Sequence, residues 1–151
     1  MTEPSEVKST QTDVGLTHVA LPVADVERSM AFYRRYAHME PVHRRTDPDG
    51  ASVVWLSDRT RPFVVVLIEG TVGHPLGPFA HLGVGCATRG EVDRLAAMAR
   101  DEGVLRMGPT DSGYPVGYWT LLADPDGHTL ELAYGQEVGL TVERADIRPG
   151  R

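Results

Sequence analysis

The chain contains one cysteine, Cys86, among its 151 residues, so an internal disulfide is excluded. A reducing, cytoplasmic setting is the simplest expectation. No apolar run approaches the length of a membrane span, and the N-terminus lacks the basic-then-apolar pattern of a secretory signal. A net charge of −6 argues against nucleic acid or an anionic membrane as the main partner. The charge says nothing about small-molecule substrates.

The remaining composition is typical of a globular protein, with 41% hydrophobic and 24% charged residues. A length of 151 residues fits one domain, or two small modules that share a core. Residues 1–13 are polar and without periodicity, which predicts a flexible tail. We expect a single domain over residues 14–135, built of modules 14–70 and 79–135, followed by a C-terminal extension over 136–151.

Hydrophobic periodicity predicts the same element order twice. In each module a strand leads into an amphipathic helix, and three more strands follow. Asp25 is a candidate N-cap for the first helix, and Thr88 with Glu91 forms a capping box for the second. A linker rich in glycine and proline separates the modules. The expected strands cover residues 16–23, 39–46, 51–57, 62–69, 79–86, 104–110, 115–123 and 128–135, and the helices cover 25–37 and the segment that ends at Gly103.

A histidine and a glutamate recur at matched positions in the two modules. From His18 to Glu69 the chain advances 51 positions, and from His81 to Glu131 it advances 50. Each histidine lies near the start of a module's first strand, and each glutamate lies near the end of its last strand. We expect all four side chains to face away from the apolar row of their strands, where side chains on one face of adjacent strands converge.

Imidazole nitrogen and carboxylate oxygen are the donors that divalent first-row metals prefer, so Fe, Ni, Mn, Co and Zn are all candidates. A set without thiolate favours an open catalytic site over a structural zinc site. A single strand histidine is more often a structural residue, and a single terminal glutamate is more often solvated. The matched pairs favour a metal site made of His18, His81, Glu131 and Glu69.

Four other side chains have predicted locations. Trp119 and Leu121 share one strand face and are candidates for lining a substrate cavity, with core packing as an equal alternative. His128 follows the Asp-Pro-Asp-Gly turn at residues 124–127, and we expect it to be exposed. Cys86 lies on the strand face opposite His81, which predicts packing under a helix and not metal binding.

Three segments carry a family resemblance. The segment THVALPVADVERSMAFY begins at Thr17, FAHLGV begins at Phe79, and DPDGHTLEL begins at Asp124. Together they resemble the vicinal oxygen chelate superfamily, which includes glyoxalase I, bleomycin-resistance proteins, extradiol dioxygenases and fosfomycin-resistance enzymes. The resemblance covers roughly residues 14 to 135. It implies an α+β fold in which paired βαβββ modules form a half-open barrel around one divalent metal ion.

The resemblance also implies roles for the residues that match. His18, His81 and Glu131 occupy the positions of the metal ligands, and Glu69 matches the fourth ligand of the glyoxalase I type. A glyoxalase-type lyase or isomerase is the first functional hypothesis, in which the ion chelates two adjacent substrate oxygens and Glu69 or Glu131 is the catalytic base. Related proteins often complete the site across a dimer, and we expect a homodimer with a small-molecule substrate.

Three alternatives stay open. An Fe(II)-dependent ring-cleaving dioxygenase of extradiol type uses two histidines and one carboxylate, and its usual tyrosine is replaced here by Leu121. A drug-binding protein of bleomycin-resistance type has no catalysis and usually lacks the ligands that this chain keeps. A fosfomycin-type transferase is the third. The role of Glu69 separates the glyoxalase type from the dioxygenase, because four protein ligands suit the glyoxalase type and three suit the dioxygenase.

Overall fold

The computed structural model describes residues 13–145. Residues 1–12, which form most of the expected flexible tail, and residues 146–151 lie outside the described part. No helix among the described residues is long and apolar enough to cross a membrane. The elements are β1 (His18–Val23), α1 (Val26–Ala37), β2 (Glu40–Thr46), β3 (Ser52–Ser57), β4 (Val64–Glu69), β5 (Leu82–Gly85), α2 (Arg89–Asp101), β6 (Leu105–Asp111), β7 (Tyr118–Ala123), β8 (Thr129–Tyr134) and α3 (Val138–Arg144).

The strands form two four-stranded sheets of the same topology. Sheet A has the order β1-β4-β3-β2, and sheet B has the order β5-β8-β7-β6. In each sheet the first and last strands of the unit pair in parallel, while the remaining pairs are antiparallel. This arrangement confirms the α+β class and the paired βαβββ units. The short helix α3 lies within the expected C-terminal extension and was not predicted.

Side-chain caps fix where the two long helices begin. Asp25 accepts hydrogen bonds from the backbone N–H groups of Glu27 and Arg28, and Thr88 accepts one from Glu91 N–H. Both predicted N-caps are therefore confirmed. The reciprocal half of the capping box is absent: the Glu91 carboxylate contacts Arg94 and His38 instead of reaching back to the cap. Contact with His38, at the end of α1, links the two helices.

One hydrophobic core lies between the two units. The helix-facing rows of both sheets contribute to a single cluster of buried side chains, among them Leu21, Leu67, Leu95, Leu122 and Leu132. Burying a leucine side chain of this kind stabilises the fold by about 1.5–3 kcal/mol. Both helices and the helix-facing side chains of both sheets belong to this one core. The opposite face of each sheet therefore points away from the other unit. The predicted ligands must be sought on these outer faces.

The turn after β7 joins the second unit to the first. Asp124 is buried and accepts a hydrogen bond from Tyr33 OH at 2.8 Å, while Asp126 accepts one from Ala24 N–H at 3.0 Å. Burial, followed by the charge of Asp124, raises the pKa of Tyr33 well above its usual value. The Asp-Pro-Asp-Gly segment is thus both a turn and a contact between units.

The expectation that His128 is exposed is wrong, because its ring is 1% exposed. Its Nδ1 accepts a hydrogen bond from Leu76 N–H at 2.9 Å, and its Nε2 lies 2.7 Å from the carbonyl oxygen of Pro22. These partners assign the proton to Nε2, since a carbonyl can only accept. The histidine therefore connects the linker to strand β1, and both of its ring nitrogens are engaged there.

Candidate functional site

Sheet B brings one predicted histidine and one predicted glutamate together. His81 directly precedes β5, and Glu131 lies in the middle of β8, where it pairs with Gly83. Nε2 of His81 lies 3.4 Å from Oε2 of Glu131. Two ligands bound to one ion at 2.0–2.2 Å stand about 3.0–3.4 Å apart, for ligand–metal–ligand angles of roughly 90–110°. The pair is therefore spaced as two ligands of one ion.

Neighbouring groups orient both donors of this pair. Nδ1 of His81 donates to the carbonyl oxygen of Phe79 at 2.6 Å, so Nε2 carries no proton and its lone pair is free to bind a metal. The Gln136 amide donates to Oε1 of Glu131 at 2.8 Å and to the Val116 carbonyl at 3.0 Å, which leaves Oε2 directed at His81. Outer partners of this kind typically surround metal-binding histidines and carboxylates.

The strand register gives Glu131 its neighbours on the outer face of sheet B. Leu121 pairs with Glu131, and Trp119 pairs with Ala133, so both predicted cavity residues lie on the face that carries Glu131. Trp119 Nε1 donates to Ser112 Oγ at 3.0 Å, which fixes the indole. On the other side of Glu131, Gly83 and Gly85 have no side chain to cover the carboxylate. Substrate binding by Trp119 and Leu121 remains a prediction.

His18 lies on the outer face of sheet A. It begins β1, pairs with Val64 and is exposed, while Val19, Leu21 and Val23 point to the core. Its Nδ1 lies 2.9 Å from Thr17 Oγ1, which leaves Nε2 free. Each of the two predicted histidines thus has Nδ1 engaged and Nε2 without a hydrogen-bond partner among the described residues, which is one of the two ways in which histidine binds a metal.

Glu69 has a different orientation from the one expected. It pairs with Val23, whose side chain is fully buried, and its Oε2 accepts a hydrogen bond from Val26 N–H at 3.4 Å. Glu69 therefore points to the start of helix α1, on the face opposite His18. This corrects the prediction that Glu69 faces away from the apolar row. The outer row of β4 consists of Val64, Val66 and Ile68.

Within the described residues, 13–145, no group of three or more His, Cys, Asp or Glu side chains is placed to hold a metal ion. His18 lines a groove on sheet A whose lining contains no residue of sheet B. The four predicted ligands thus divide into the His81–Glu131 pair, His18 alone on sheet A, and Glu69 on the inner side of sheet A. The expected convergence does not occur within one chain.

The chemistry of the free donors fits a divalent metal ion. Nε2 of His18, Nε2 of His81 and Oε2 of Glu131 accept no hydrogen bond from the described residues, and their companion atoms are engaged by the chain. Two imidazoles and one carboxylate suit Fe, Mn, Co, Ni or Zn. Cys86 is no competing ligand, because burial, with a smaller effect from Glu91, raises the pKa of its thiol to about 11.

Two side chains near Glu131 were missed in the sequence. Gln136 fell in the expected C-terminal extension, although a polar amide directly after the strand-ending Gly135 was a usable signal. Arg106 extends from β6 across β7 to Thr129 Oγ1, and it also donates to the carbonyl oxygen of Gly127 at 2.7 Å. Its guanidinium therefore lies on the outer face of sheet B, two residues along β8 from Glu131, and no local pattern predicts that reach.

Comparison with known proteins gives one family. The model described as the glyoxalase/bleomycin resistance protein/dioxygenase superfamily matches residues 15–132. A curated relative, an uncharacterised protein of Pseudomonas aeruginosa, is 37% identical over 128 residues, which span 82% of this chain and 91% of the relative. The matched range includes His18, His81 and Glu131.

Solved structures of several functions share the fold. A variant of the fosfomycin resistance protein FosX from Listeria monocytogenes, complexed with Mn(II) and 1S,2S-dihydroxypropylphosphonic acid, has a TM-score of 0.66 at 18% identity, covering 87% of this chain and 99% of that one. Leishmania major glyoxalase I has a TM-score of 0.67 at 21% identity, covering 87% and 94%. TnmS3, an antibiotic-binding protein from Streptomyces, has a TM-score of 0.62 at 20% identity, covering 83% and 98%.

Proposed function

Because the chain belongs to the glyoxalase/bleomycin resistance protein/dioxygenase superfamily, we propose that it is a metal-dependent enzyme that binds a small substrate through two adjacent oxygens. The observation that carries the proposal is the His81–Glu131 pair, with Nε2 and Oε2 at 3.4 Å. A structural histidine–glutamate contact needs neither the Phe79 carbonyl on Nδ1 nor the Gln136 amide on Oε1. Both partners direct the free donors to one point.

The proposed ligand set is His18, His81 and Glu131. A bound divalent ion supplies Lewis-acid polarisation of the substrate oxygens. The chain's own residues orient the donors: Phe79 holds the tautomer of His81, and Gln136 holds the rotamer of Glu131. Leu121 and Trp119 lie on the same face as Glu131 and place apolar surface beside it.

We propose that His18 comes from the partner subunit of a homodimer. His18 and the His81–Glu131 pair lie on outer faces of different sheets, so a second copy must bring sheet A of one chain opposite sheet B of the other. Large apolar side chains beside the ligands support such a contact. Phe79, two residues before His81, is 94% exposed, and Leu16, two residues before His18, is 87% exposed. Exposed apolar groups of this size are typical of interaction surfaces.

Three protein ligands favour the dioxygenase type over the glyoxalase type. The glyoxalase type requires Glu69 at the ion, whereas the Glu69 carboxylate accepts from Val26 N–H on the inner side of sheet A. Valine and isoleucine side chains occupy the outer row of β4. Glu131 is then the single carboxylate in the ligand set. The centre is the two-histidine, one-carboxylate type that leaves positions for substrate and a second small molecule.

The test is metal binding by matched variants. Protein purified without chelators is assayed for bound metal by mass spectrometry, and Mn²⁺ and Fe²⁺ titrations are followed by calorimetry. We expect stoichiometric binding to wild type and loss of it in His18→Ala, His81→Ala and Glu131→Ala. Glu69→Gln should retain the metal, and His74→Ala, an exposed linker histidine, is the control for loss of an imidazole.

Two outcomes would contradict the proposal in different ways. If His18→Ala and His81→Ala both keep full metal occupancy, the site assignment is wrong and a binding protein without catalysis becomes the better interpretation. If Glu69→Gln loses the metal while the controls keep it, the fourth ligand is real and the glyoxalase type replaces the dioxygenase type.

A further inference from the structure

The outer face of sheet A forms a groove of about 800 Å³ beside His18. Its lining is rich in basic and aromatic groups, although the protein carries a net charge of −6. Asp13, at the rim, is the only carboxylate among the lining residues that the structure describes. The basic and N–H-bearing aromatic side chains of the lining are His18, His43, Arg45, Trp55 and Arg61.

Trp55 and His43 form an aromatic wall in this groove, with their ring planes tilted by 56°. They pair across β3 and β2, and their ring centroids are 4.9 Å apart. The Trp55 side chain is 37% exposed, so one part of the indole faces the groove. Strand β4 lies between β3 and β1, and two strand spacings put Trp55 about 10 Å across the sheet from His18. A planar group bound near His18 can extend along the sheet to this wall.

Arg61 supplies a charge that no carboxylate of the described residues, 13–145, neutralises. The other arginine of the groove, Arg45, is paired with Asp47 at 2.7 Å. Among residues 13–145, no carboxylate lies within ion-pair distance of the Arg61 guanidinium. Arg61 lies in the loop that leads into β4, where Phe63 N–H donates to its carbonyl at 2.8 Å. That loop ends at Val64, the strand partner of His18.

We propose that the substrate carries an anionic group, bound by Arg61, and a planar body that packs against Trp55. This inference rests on the proposed function, because the two chelating oxygens position the substrate at His18. An unpaired guanidinium favours a carboxylate, sulfonate or phosphonate through charge-assisted, bidentate hydrogen bonds. The indole favours a conjugated ring through stacking. Together they select an acidic aromatic compound with adjacent oxygens over its neutral counterpart.

The test compares two ligands that share the chelating oxygens and differ in charge. Catechol and 3,4-dihydroxybenzoate are titrated into the full chain, with and without Mn²⁺, and binding is followed by calorimetry and tryptophan fluorescence. Wild type should prefer the acid by at least about tenfold, which is what one charge-assisted hydrogen bond supplies. Arg61→Gln should remove the preference, and added salt should weaken it. Trp55→Leu should weaken binding of both ligands.

The control is Arg28→Gln, which removes the same charge from the exposed surface of α1 and should leave the preference intact. Equal affinity for the two ligands, an unchanged preference in Arg61→Gln, or no binding of either ligand would overturn the inference. Failure of the proposed function has a different signature, because Mn²⁺ would then strengthen neither ligand. The preference for the acid would persist without metal, since Arg61 acts on the anionic group.

Discussion

At Glu131 the two carboxylate oxygens have different partners, and this asymmetry depends on one side chain. The Gln136 amide holds Oε1 at 2.8 Å, and Oε2 is left to face His81. Glu131 itself is 9% exposed, so water has little access to replace the amide. We therefore expect Gln136 to be a positioning residue, which acts on the proposed metal ion through Glu131.

Replacing Gln136 tests this role. Gln136→Leu should weaken metal affinity by about 10–100-fold, the usual cost of losing an outer partner of a ligand. Calorimetry with Mn²⁺ gives the affinity, and thermal unfolding without metal gives the stability. Glu137→Gln, at the next position, is the control and should change neither. An unaltered Mn²⁺ affinity in Gln136→Leu would contradict the role assigned to the amide.

At the scale of elements, the turn over residues 124–128 joins two units whose helices share one core. Asp124 accepts from Tyr33 OH, from Asp126 N–H and from His128 N–H, at 2.8, 2.9 and 2.8 Å. Tyr33 is fully buried on α1, so its hydroxyl has no access to water when the carboxylate is removed.

Asp124→Ala should therefore lower the free energy of unfolding by about 3 kcal/mol, at the upper end of the cost of an unsatisfied buried donor. Urea denaturation gives this value. A double-mutant cycle with Tyr33→Phe isolates the pair, and we expect a coupling energy of about 0.5–3 kcal/mol. Additive losses in the cycle would mean that the hydroxyl–carboxylate contact does not hold the units together.

Helices α1 and α2 are also linked by charge, and this link gives stability a pH dependence. Glu102 accepts from Tyr36 OH at 2.5 Å and pairs with Arg35. The Tyr36 hydrogen bond, followed by the Arg35 guanidinium, lowers the pKa of Glu102, and burial raises the pKa of Tyr36 to about 12. A lowered carboxyl pKa means stability that is present above the unfolded pKa, about 4.3, and lost as the pH falls through the folded pKa.

Glu102→Gln should consequently cost more stability at pH 7 than at pH 3, as measured by urea denaturation at both values. The control is Asp101→Asn, since that neighbouring carboxylate has no ion pair among the described residues. A cost that is equal at the two pH values would contradict the assigned link.

Sequence patterns predicted where the helices and strands lie better than they predicted which face of a sheet each side chain occupies. Alternation and capping residues predicted β1, α1 and α2 because these signals are local. Strand β4 is different: Val64 to Ile68 are apolar on both faces, so no alternation indicated which way Glu69 points. Its direction follows from the register with β1, where it pairs with buried Val23. His128 was misjudged for a related reason, since its burial depends on Pro22, which is remote in sequence.

At the scale of the whole molecule, spacing within each unit predicted which residues share a chemistry but not how the units are arranged. His81 and Glu131 meet because β5 and β8 are neighbours in one sheet. His18 is absent from that point because the units pack through their helices. Patterns within a unit carry no information about how the two units pack against each other. The packing through the helices, which separates His18 from the His81–Glu131 pair, is the reason for the proposed dimer.

Complementation tests the shared site. His18→Ala and Glu131→Ala chains each lack one ligand, and mixing them allows a heterodimer in which one site regains all three. After full subunit exchange at equal concentrations, about a quarter of the wild-type metal stoichiometry should return in a two-fold symmetric dimer. Light scattering at micromolar concentration should give a dimer mass for each variant.

The matched control mixes His81→Ala with Glu131→Ala, because those ligands belong to one chain and no combination restores them on the same sheet. Metal recovery in this control, or none in the first mixture, would contradict a site that spans two subunits. A monomer mass by light scattering would contradict the dimer directly.

Strand β5 is bare on its outer face, since Gly83 and Gly85 alternate with the core-facing Leu82 and Val84. A Cβ atom built at either glycine meets no other atom of the chain within 4 Å, and neither backbone requires a positive φ. A methyl group can therefore be added directly beside Glu131 without a clash inside the described part of the chain, and an alanine there reduces the flexibility of the unfolded chain. The shape of the proposed substrate space beside Glu131 can therefore be changed by one methyl group at a time without a steric conflict among residues 13–145.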